Sequence, residues 1–346
     1  MTVESRQWLK YFSPTQSRRP AVLKQLLENH LTTSALFWGK AYDLLEYIAL
    51  PISTANFEAE LALLCEQGFL QKTAQGMLLT KKGTKIVQVD LMNHAQFGMP
   101  AFFHGFDWKN WEKMFLLMVQ VASELSYQNS NYFVIANDLR TQYRFKEWLK
   151  KYGKERLLSE VQTSLAEFLS QEDPKLANLF CEQLTGHNQL GKTRNQLATI
   201  YDYSLTDLEV LWLDMCSRYA QFLLTKGQAL SELVHFYKRN SLLSESNQKT
   251  YELFLAQKKL TEIAKIRGLK LGTIQEHLLN AALLLADFPF AQVLSSKLTS
   301  ELKSFYGETP ILEWDFKTLQ ATLPDISFFE YRLYQIERII QDGVRT

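Results

Sequence analysis

Residues 246–285 read SNQKTYELFLAQKKLTEIAKIRGLKLGTIQEHLLNAALLL, and this stretch decides how the chain is organised. Leu260, Ile263, Ala264 and Ile266 recur at helical spacing and predict the inner face of a short helix. Thr261 is expected to cap its start by accepting from free N–H groups of the first turn. Ala264 is small where a second helix must cross closely. Gly268 follows four residues later, where the turn needs positive φ. Leu269 is expected to plug the core. A second helix should then run from about Leu271 to Leu285, with Ile274, Leu278 and Leu279 inward. A small residue, a glycine and an apolar residue at these spacings predict a helix-turn-helix. An ordinary helical hairpin is the competing reading, because a motif match alone carries a false-positive risk.

The whole chain sets the bounds. Its 346 residues have room for two or three small domains. Apolar residues make up 46% and charged residues 22%, the balance of an ordinary globular protein rather than a disordered one. A net charge of +1 argues against a globally basic nucleic-acid coat, so any DNA contact must come from local patches. Cys65, Cys181 and Cys216 are far apart in sequence and suggest neither a metal-ligand cluster nor a disulfide framework. A reducing cytoplasm is the expected compartment. MTVESRQWLK at the start is too polar for a signal peptide, and the apolar run Ala281 to Ala286 is too short to span a bilayer. No membrane, metal or cofactor is expected. Eight prolines and fourteen glycines leave room for long helices.

Residues 1–29 are expected to form a polar lead-in and then a helix with Val22, Leu23, Leu26 and Leu27 inward. Arg18 and Arg19 are expected at its start, able to touch a phosphate, with a solvated helix end the favoured reading. From Thr32 to about Gln88 the pattern is that of a small winged helix. Ala41 to Ile48 is apolar at helical spacing, and Pro51 breaks it. Phe57, Leu61, Leu63 and Leu64 form a second stripe that stops at Gly68. Phe69 and Leu70 then suit a strand, Gly76 a tight turn, Met77 to Leu79 a return strand, and Thr80 the start of the next helix. Lys72, Lys81, Lys82 and Lys85 cluster there and are placed to meet phosphates, although a protein-docking or purely structural winged helix fits equally well.

From Gly105 to Phe180 the chain is helix-rich. Trp108, Trp111, Phe115, Leu116 and Val119 make a core stripe rather than a cofactor box. Leu139 to Arg156 is locally basic: Arg140, Arg144, Lys146, Lys150, Lys151, Lys154 and Arg156 outweigh Glu147 and Glu155. Tyr143, Phe145, Trp148 and Tyr152 are interleaved, a combination able to bind single strands by charge and stacking. The favoured reading is an amphipathic helix with core aromatics and solvated lysines.

After the turn at Glu172-Asp173-Pro174 comes GHNQLGKT, residues 186–193, which matches the phosphate loop G-x-x-x-x-G-K-[ST]. Such a loop must leave a buried strand and open a helix. Here LANLFCEQLT precedes it at helical spacing. VLWLD at 210–214 mimics a strand ending in a magnesium carboxylate but lies within the helical stripe Leu208, Leu211, Trp212, Met215, Tyr219 and Phe222. Thr193 and Gln196 instead form a capping box. The region repeats the helix-turn-helix logic, with Leu197 and Ala198 on a short helix, Asp202 and Tyr203 in the turn, and Leu205, Leu208 and Leu211 entering a longer one. Further packing helices follow: Ser295 to Phe305, Leu319 to Leu323 before Pro324, and a last one that starts at Ile326 to Leu333 and reaches Ile340.

Thr250, Leu255, Leu260-Thr-Glu-Ile-Ala264, Arg267-Gly268-Leu269 and Thr273-Ile274-x-x-His277-Leu278 resemble the helicase-associated helix-turn-helix domain. That domain occurs at the C-terminal end of some RecQ-type DNA helicases. It also occurs in the YpbB-type proteins of Gram-positive bacteria, typically encoded beside a RecQ-type helicase. Ile326-Ser-Phe-Phe-Glu-Tyr-Arg332 is similar to its last helix. Leu36-Phe37 to Pro51 and the following LLCEQGFL also fit the YpbB type. No motor motif has a credible setting, so the resemblance implies an accessory protein and not the helicase.

The expected fold is therefore mainly α, in several small helical modules that include an N-terminal winged helix with a short β-hairpin and a C-terminal helix-turn-helix. Four segments are expected: an N-terminal helix plus winged helix at 1–105, a helical connection at 106–180, a helix-turn-helix-like module at 181–240, and the helicase-associated domain at 241–346. The expected function is non-enzymatic: a DNA-binding or protein-docking accessory of a RecQ-type helicase in DNA repair, recombination or replication-fork maintenance. A helix-turn-helix transcription regulator is the alternative, and a nucleotide hydrolase the third reading. The second helix would present Lys270, Gly272, Thr273, Gln275 and Glu276 at its exposed start to a major groove. The candidate DNA-binding residues are Lys259, Arg267, Lys270, Thr273, Gln275 and His277. Six basic residues against three acidic ones in 246–280 predict weak or structure-directed DNA contact.

Overall fold

The computed structural model describes residues 6–50, 52–93, 105–136, 138–201, 203–239 and 241–342. The fold is mainly helical, with one small hairpin. Two compact units emerge: Ser5–Val87 together with Ser241–Thr346, and Gln88–Asn240. The first and last parts of the chain thus share one unit. No described helix is long and apolar enough to cross a membrane.

The lead-in is not a polar tail. Trp8, Leu9 and Tyr11 are buried, and the Trp8 ring meets Phe57 edge-on at 4.8 Å. Apolar side chains spaced among the polar ones carry this segment into the core. Helix α1 (Pro20–Leu27) buries Val22, Leu23, Leu26 and Leu27 as expected. Arg18 corrects the solvated reading. Its N–H and carbonyl both pair with Met77, at 3.0 and 2.8 Å, and its guanidinium donates to the Tyr11 carbonyl at 2.8 Å.

Helix α2 (Thr33–Ala41) starts under a Thr32 cap. The helix expected over Ala41 to Ile48 does not form. The chain turns at Asp43, with φ 57°, and makes only a short 3₁₀ turn at Leu45–Tyr47. The Leu44 N–H bonds back to the Gly39 carbonyl at 2.8 Å, which closes α2 early. Pro51 lies outside the described residues. Helix α3 (Phe57–Glu66) turns Phe57, Leu61 and Leu64 inward but leaves Leu63 exposed. Gly68, with φ 74°, ends it. Strands β1 (Leu70–Lys72) and β2 (Met77–Leu79) pair antiparallel in the register Leu70↔Leu79. Helix α4 (Lys81–Asn93) starts where the Thr80 hydroxyl accepts from the Gly83 N–H at 3.1 Å. The winged-helix pattern is thus present.

In the second unit α5 (Trp108–Ser126) packs against α6 (Leu139–Tyr152), α7 (Lys154–Ser170) and the long α10 (Leu205–Lys226). Helices α8 (Pro174–Cys181), α9 (Arg194–Tyr201) and α11 (Ala229–His235) complete it. Aromatic rings fill its centre: Phe115 stacks on Phe180 at 5.5 Å, and Phe180 lies 5.1 Å from Trp212. Burial of such large rings dominates the hydrophobic driving force of a unit this size. Glu160, itself buried, accepts from the Leu230 N–H at 2.9 Å at the start of α11. Leu197, Leu208, Val210 and Leu211 join Leu179 in one apolar cluster, the core of the expected short-helix and long-helix pair. Asp202, expected in that turn, lies outside the described residues.

The basic stretch over 139–156 is amphipathic. Gly153, with φ 85°, splits it into α6 and α7. Phe145 and Trp148 are buried. Lys150 pairs with Glu147 and Lys151 with Glu232, at 2.6 and 2.7 Å, and Arg156 pairs with Glu160. Phe145 and Trp148 are thus core rings as expected, whereas Tyr143 is exposed and corrects that reading, and Lys146 and Lys154 are exposed.

The last part of the chain returns to the first unit as α12 (Glu245–Leu255), α13 (Leu260–Arg267), α14 (Leu271–Leu284), α15 (Ser296–Tyr306), α16 (Phe316–Thr322) and α17 (Phe328–Asp342). Ser327 and Glu330 cap α17 reciprocally. Helix α14 packs on α12 and α13, and also on α2 and α17. The Thr33 hydroxyl donates to the Asn280 side-chain oxygen at 2.8 Å, and the Arg332 guanidinium lies 4.0 Å from the Phe37 ring centre.

Candidate nucleic-acid interface

Helix α13 opens one residue before the expected cap. Lys259 holds the N-cap position without a side-chain bond, and Thr261 lies inside the helix and is exposed. The chain reaches this start through Gln257, whose φ of 61° sets the turn. Ile263 is fully buried, and Leu260 and Ala264 are half-buried. Ile266 is exposed rather than inward: three residues on, it is turned about 60° from Ile263, to the edge of the buried face in the last turn of α13. Gly268 has φ 61°, and its N–H meets the Ala264 and Lys265 carbonyls. The Leu269 N–H bonds to the Ala264 carbonyl at 3.0 Å, and Leu269 is half-buried. Two successive N–H groups folding back on the last helical carbonyls make a left-handed helix stop.

Helix α14 then turns Ile274, Leu278 and Leu279 into the core. Ala281, Ala282 and Leu283 are also buried, so its second half is enclosed by neighbouring helices. The first turn differs. Lys270, Leu271 and Gly272 are exposed, Thr273 and Gln275 half-buried, and Glu276 exposed. Lys259 and Lys265 are also exposed. Lys249 pairs with Glu245 at 2.6 Å and Lys258 with Glu262 at 2.9 Å, so part of the local basic charge is neutralised along the helices.

The six candidate residues divide. Lys270 and Thr273 lie at the open first turn of α14, Gln275 follows half-buried, and Lys259 is exposed at the start of α13. Arg267 and His277 join an internal network instead. The Arg267 guanidinium donates to the Ser246 carbonyl at 2.8 Å, the Ser246 hydroxyl at 3.1 Å and the Thr250 hydroxyl at 3.1 Å. Thr250 Oγ1 also bonds to His277 Nδ1. Burial pushes the His277 pKa below its ordinary value, and the Arg267 charge lowers it further. Sequence reasoning missed this hub. The signal was a threonine beside Tyr251 and Phe254 on the inner stripe of α12, where a buried hydroxyl must find partners.

A second basic surface lies on the wing. Lys72, Lys81, Lys82 and Lys85 are all exposed. Arg6, Lys82 and Lys85 line a hollow of about 490 Å³ with Gln67, Phe69 and Ile86. Lys82 donates to the Gln67 carbonyl at 2.7 Å and lies 4.3 Å from the Phe69 ring centre.

The phosphate-loop match has no such setting. It follows helix α8. Gly186 and Gln189 pair through both backbone bonds. Lys192 reaches Glu182 at 2.9 Å. A Cβ on Gly191 would meet the Gln183 carbonyl oxygen at 2.2 Å, so this glycine serves close packing. The Thr193 N–H donates to Gln196 Oε1 at 2.8 Å, and the Gln196 N–H to Thr193 Oγ1 at 3.4 Å, which is the expected capping box. Asp214 lies buried in α10 and accepts from Arg218 at 2.8 Å. Among the described residues no group of three or more His, Cys, Asp or Glu side chains is placed to hold a metal ion.

Comparison with known proteins agrees with this geometry. Residues 246–335 match the model of a helix-turn-helix domain. The chain is also similar to Protein YpbB of Bacillus subtilis (strain 168), with 25% identity over 191 residues. That match covers 53% of this chain and 54% of the relative, so the chain spans about half the length of the curated protein it matches. No solved structure matches. The chain thus carries a C-terminal helix-turn-helix domain, matched from α12 into α17, and is similar to a YpbB protein.

Proposed function

We propose that the protein is a non-enzymatic DNA-binding accessory of a RecQ-type helicase, and that the first turn of α14 meets the DNA. The observation that carries this reading is the split along one helix: Ile274 and Leu278 are buried while Lys270, Leu271 and Gly272 face solvent. A helix that enters a groove needs an exposed N-terminal turn on a fixed base. Lys270 is the phosphate-neutralising residue, with Lys259 beside the preceding turn. Thr273 and Gln275 border the base edges. Arg267 and His277 support the site by holding α12, α13 and α14 together. Glu276 on the same turn repels phosphate and keeps affinity moderate, as suits an accessory that follows DNA structure rather than one sequence.

Two measurements test the reading together. Fluorescence anisotropy on fork, single-stranded and random duplex DNA at several salt concentrations should give moderate, salt-sensitive binding. A tagged protein recovered from its native host should bring a RecQ-type helicase with it. Tight, salt-resistant binding to one duplex sequence would identify a transcription regulator instead. Helicase recovery without DNA binding would make the module a docking unit.

A further inference from the structure

Residues 133–136 and 138–143 hold a second surface, far in sequence from the helix-turn-helix. Phe133 is 99% exposed, Leu139 80% and Tyr143 63%, with Val134 and Ile135 also on the surface. Single exposed apolar residues are ordinary; a run of them on one short segment marks an interaction site.

This segment is held in place. Gln120, itself buried, uses both ends of its amide: it donates to the Phe133 carbonyl at 2.9 Å and accepts from the Ile135 N–H at 2.8 Å. Gln142 donates to the Ala136 carbonyl at 2.7 Å. The Phe133 carbonyl and the Ile135 N–H therefore both face Gln120, and the chain bends at Ile135. Gln120 does not engage the Val134 N–H and carbonyl between those two bonds, which leaves them for the backbone of an extended partner. A buried glutamine thus fixes this apolar segment, whose ordering cost is already met.

The charges around this segment select the occupant. Arg140 and Lys146 are exposed on α6, and Arg144 lies 5.4 Å from the ring centre of Phe236, another exposed aromatic. Nearby acids are fewer: Asp138, kept ionised by the Thr141 hydroxyl and N–H, and Glu147, which Lys150 offsets. The rim is net positive, which disfavours pairing with a second copy of the same surface. Aliphatic Val134, Ile135 and Leu139 suit a protein side chain better than a stacked base. We infer that Phe133, Leu139 and Tyr143, with the Val134 backbone, dock an extended segment of a partner protein that carries apolar residues flanked by aspartate or glutamate.

The test uses the full chain and a random-peptide display library, counter-selected on the Phe133→Ser, Leu139→Ser double variant. The enriched peptides should combine aliphatic or aromatic residues with acidic flanks. A synthetic peptide from that pool should bind wild type at least tenfold more tightly than either single variant. Arg140→Glu should weaken it, and added salt should weaken it further. Phe133 is fully exposed, so Phe133→Ser should leave the melting temperature unchanged, which separates lost docking from lost folding. Four outcomes overturn the inference: no peptide that distinguishes wild type from the variant, a basic consensus, displacement of the peptide by oligothymidylate binding with the same Phe133 dependence, or a wild-type dimer in sedimentation that Phe133→Ser dissolves. The last two would assign the surface to single-stranded nucleic acid or to self-association. Because the α14 site is untouched, these results stand apart from the DNA measurements.

Discussion

Thr250 Oγ1 stands 2.8 Å from His277 Nδ1, and this pair joins the first and third helices of the helix-turn-helix. Arg267 on the second helix donates to the same hydroxyl at 3.1 Å. One fully buried threonine therefore holds all three elements in register.

His277 makes the module sensitive to acid. Its folded pKa is lowered by burial first and by Arg267 second, with Glu276 opposing. Above the ordinary value of 6.5, both folded and unfolded chains hold it neutral. As pH falls through 6.5, the unfolded chain takes up a proton that folded His277 resists, so stability drops until the folded pKa is passed. Thermal melts from pH 7.5 downward should show this loss, and His277→Gln should flatten it. An unchanged profile in the variant would remove His277 as the titrating group.

The loop at 186–193 should behave as a cap and not as a phosphate cradle. Thr193→Ala should cost about 0.5–2 kcal/mol in urea unfolding. Lys192→Ala removes a partly exposed pair with Glu182 and should cost at most about 1 kcal/mol. Measurable ATP hydrolysis that disappears with Lys192→Ala would contradict this account.

Gly268→Val should destabilise through backbone conformation, because nothing lies within 4 Å of a built Cβ while φ is +61°. The left-handed cost for an L-residue is about 1–2 kcal/mol, and a β-branched side chain adds to it. Since α14 packs against α2, proteolysis of the variant should open the 33–41 region together with the C-terminal helices. A protected N-terminal fragment would show the two parts to be independent.

Lys270→Ala should weaken DNA binding on all sequences alike and shallow the salt slope by about one. Gln275→Ala should change affinity little and uniformly, since Gln275 is half-buried. A sequence-selective loss in Gln275→Ala would point to base reading.

Local pattern carried much of the fold. Ile274, Leu278 and Leu279, Gly268, the hairpin at 70–79 and the Thr193 cap follow from spacing and turn chemistry within a few residues. What escaped depends on distant partners. Trp8 is buried because Phe57 and Glu60 meet it. Arg18 joins a strand edge that only folding brings near. Ile266 and Leu63 share the character of their buried neighbours, and only the reach of the packed elements decides which side chains are covered. At the candidate site, side-chain type alone could not separate Lys270, on the surface, from Arg267, tied to Ser246 and Thr250. Nor does spacing foretell that Gln120 would pin Phe133 in the open.

The shared unit built from Ser5–Val87 and Ser241–Thr346 has a consequence for synthesis. A ribosome makes the winged helix first, then the whole of Gln88–Asn240, and only afterwards the helices that cover α2. Phe37 and its neighbours must wait for α14 and α17 to emerge, whereas the middle unit has all its partners at hand. Vectorial folding should therefore complete the middle before the first part. The late closure joins segments of high sequence separation, the slow kind of contact. A released chain ending at residue 240 should contain a protease-resistant middle and an open N-terminal module.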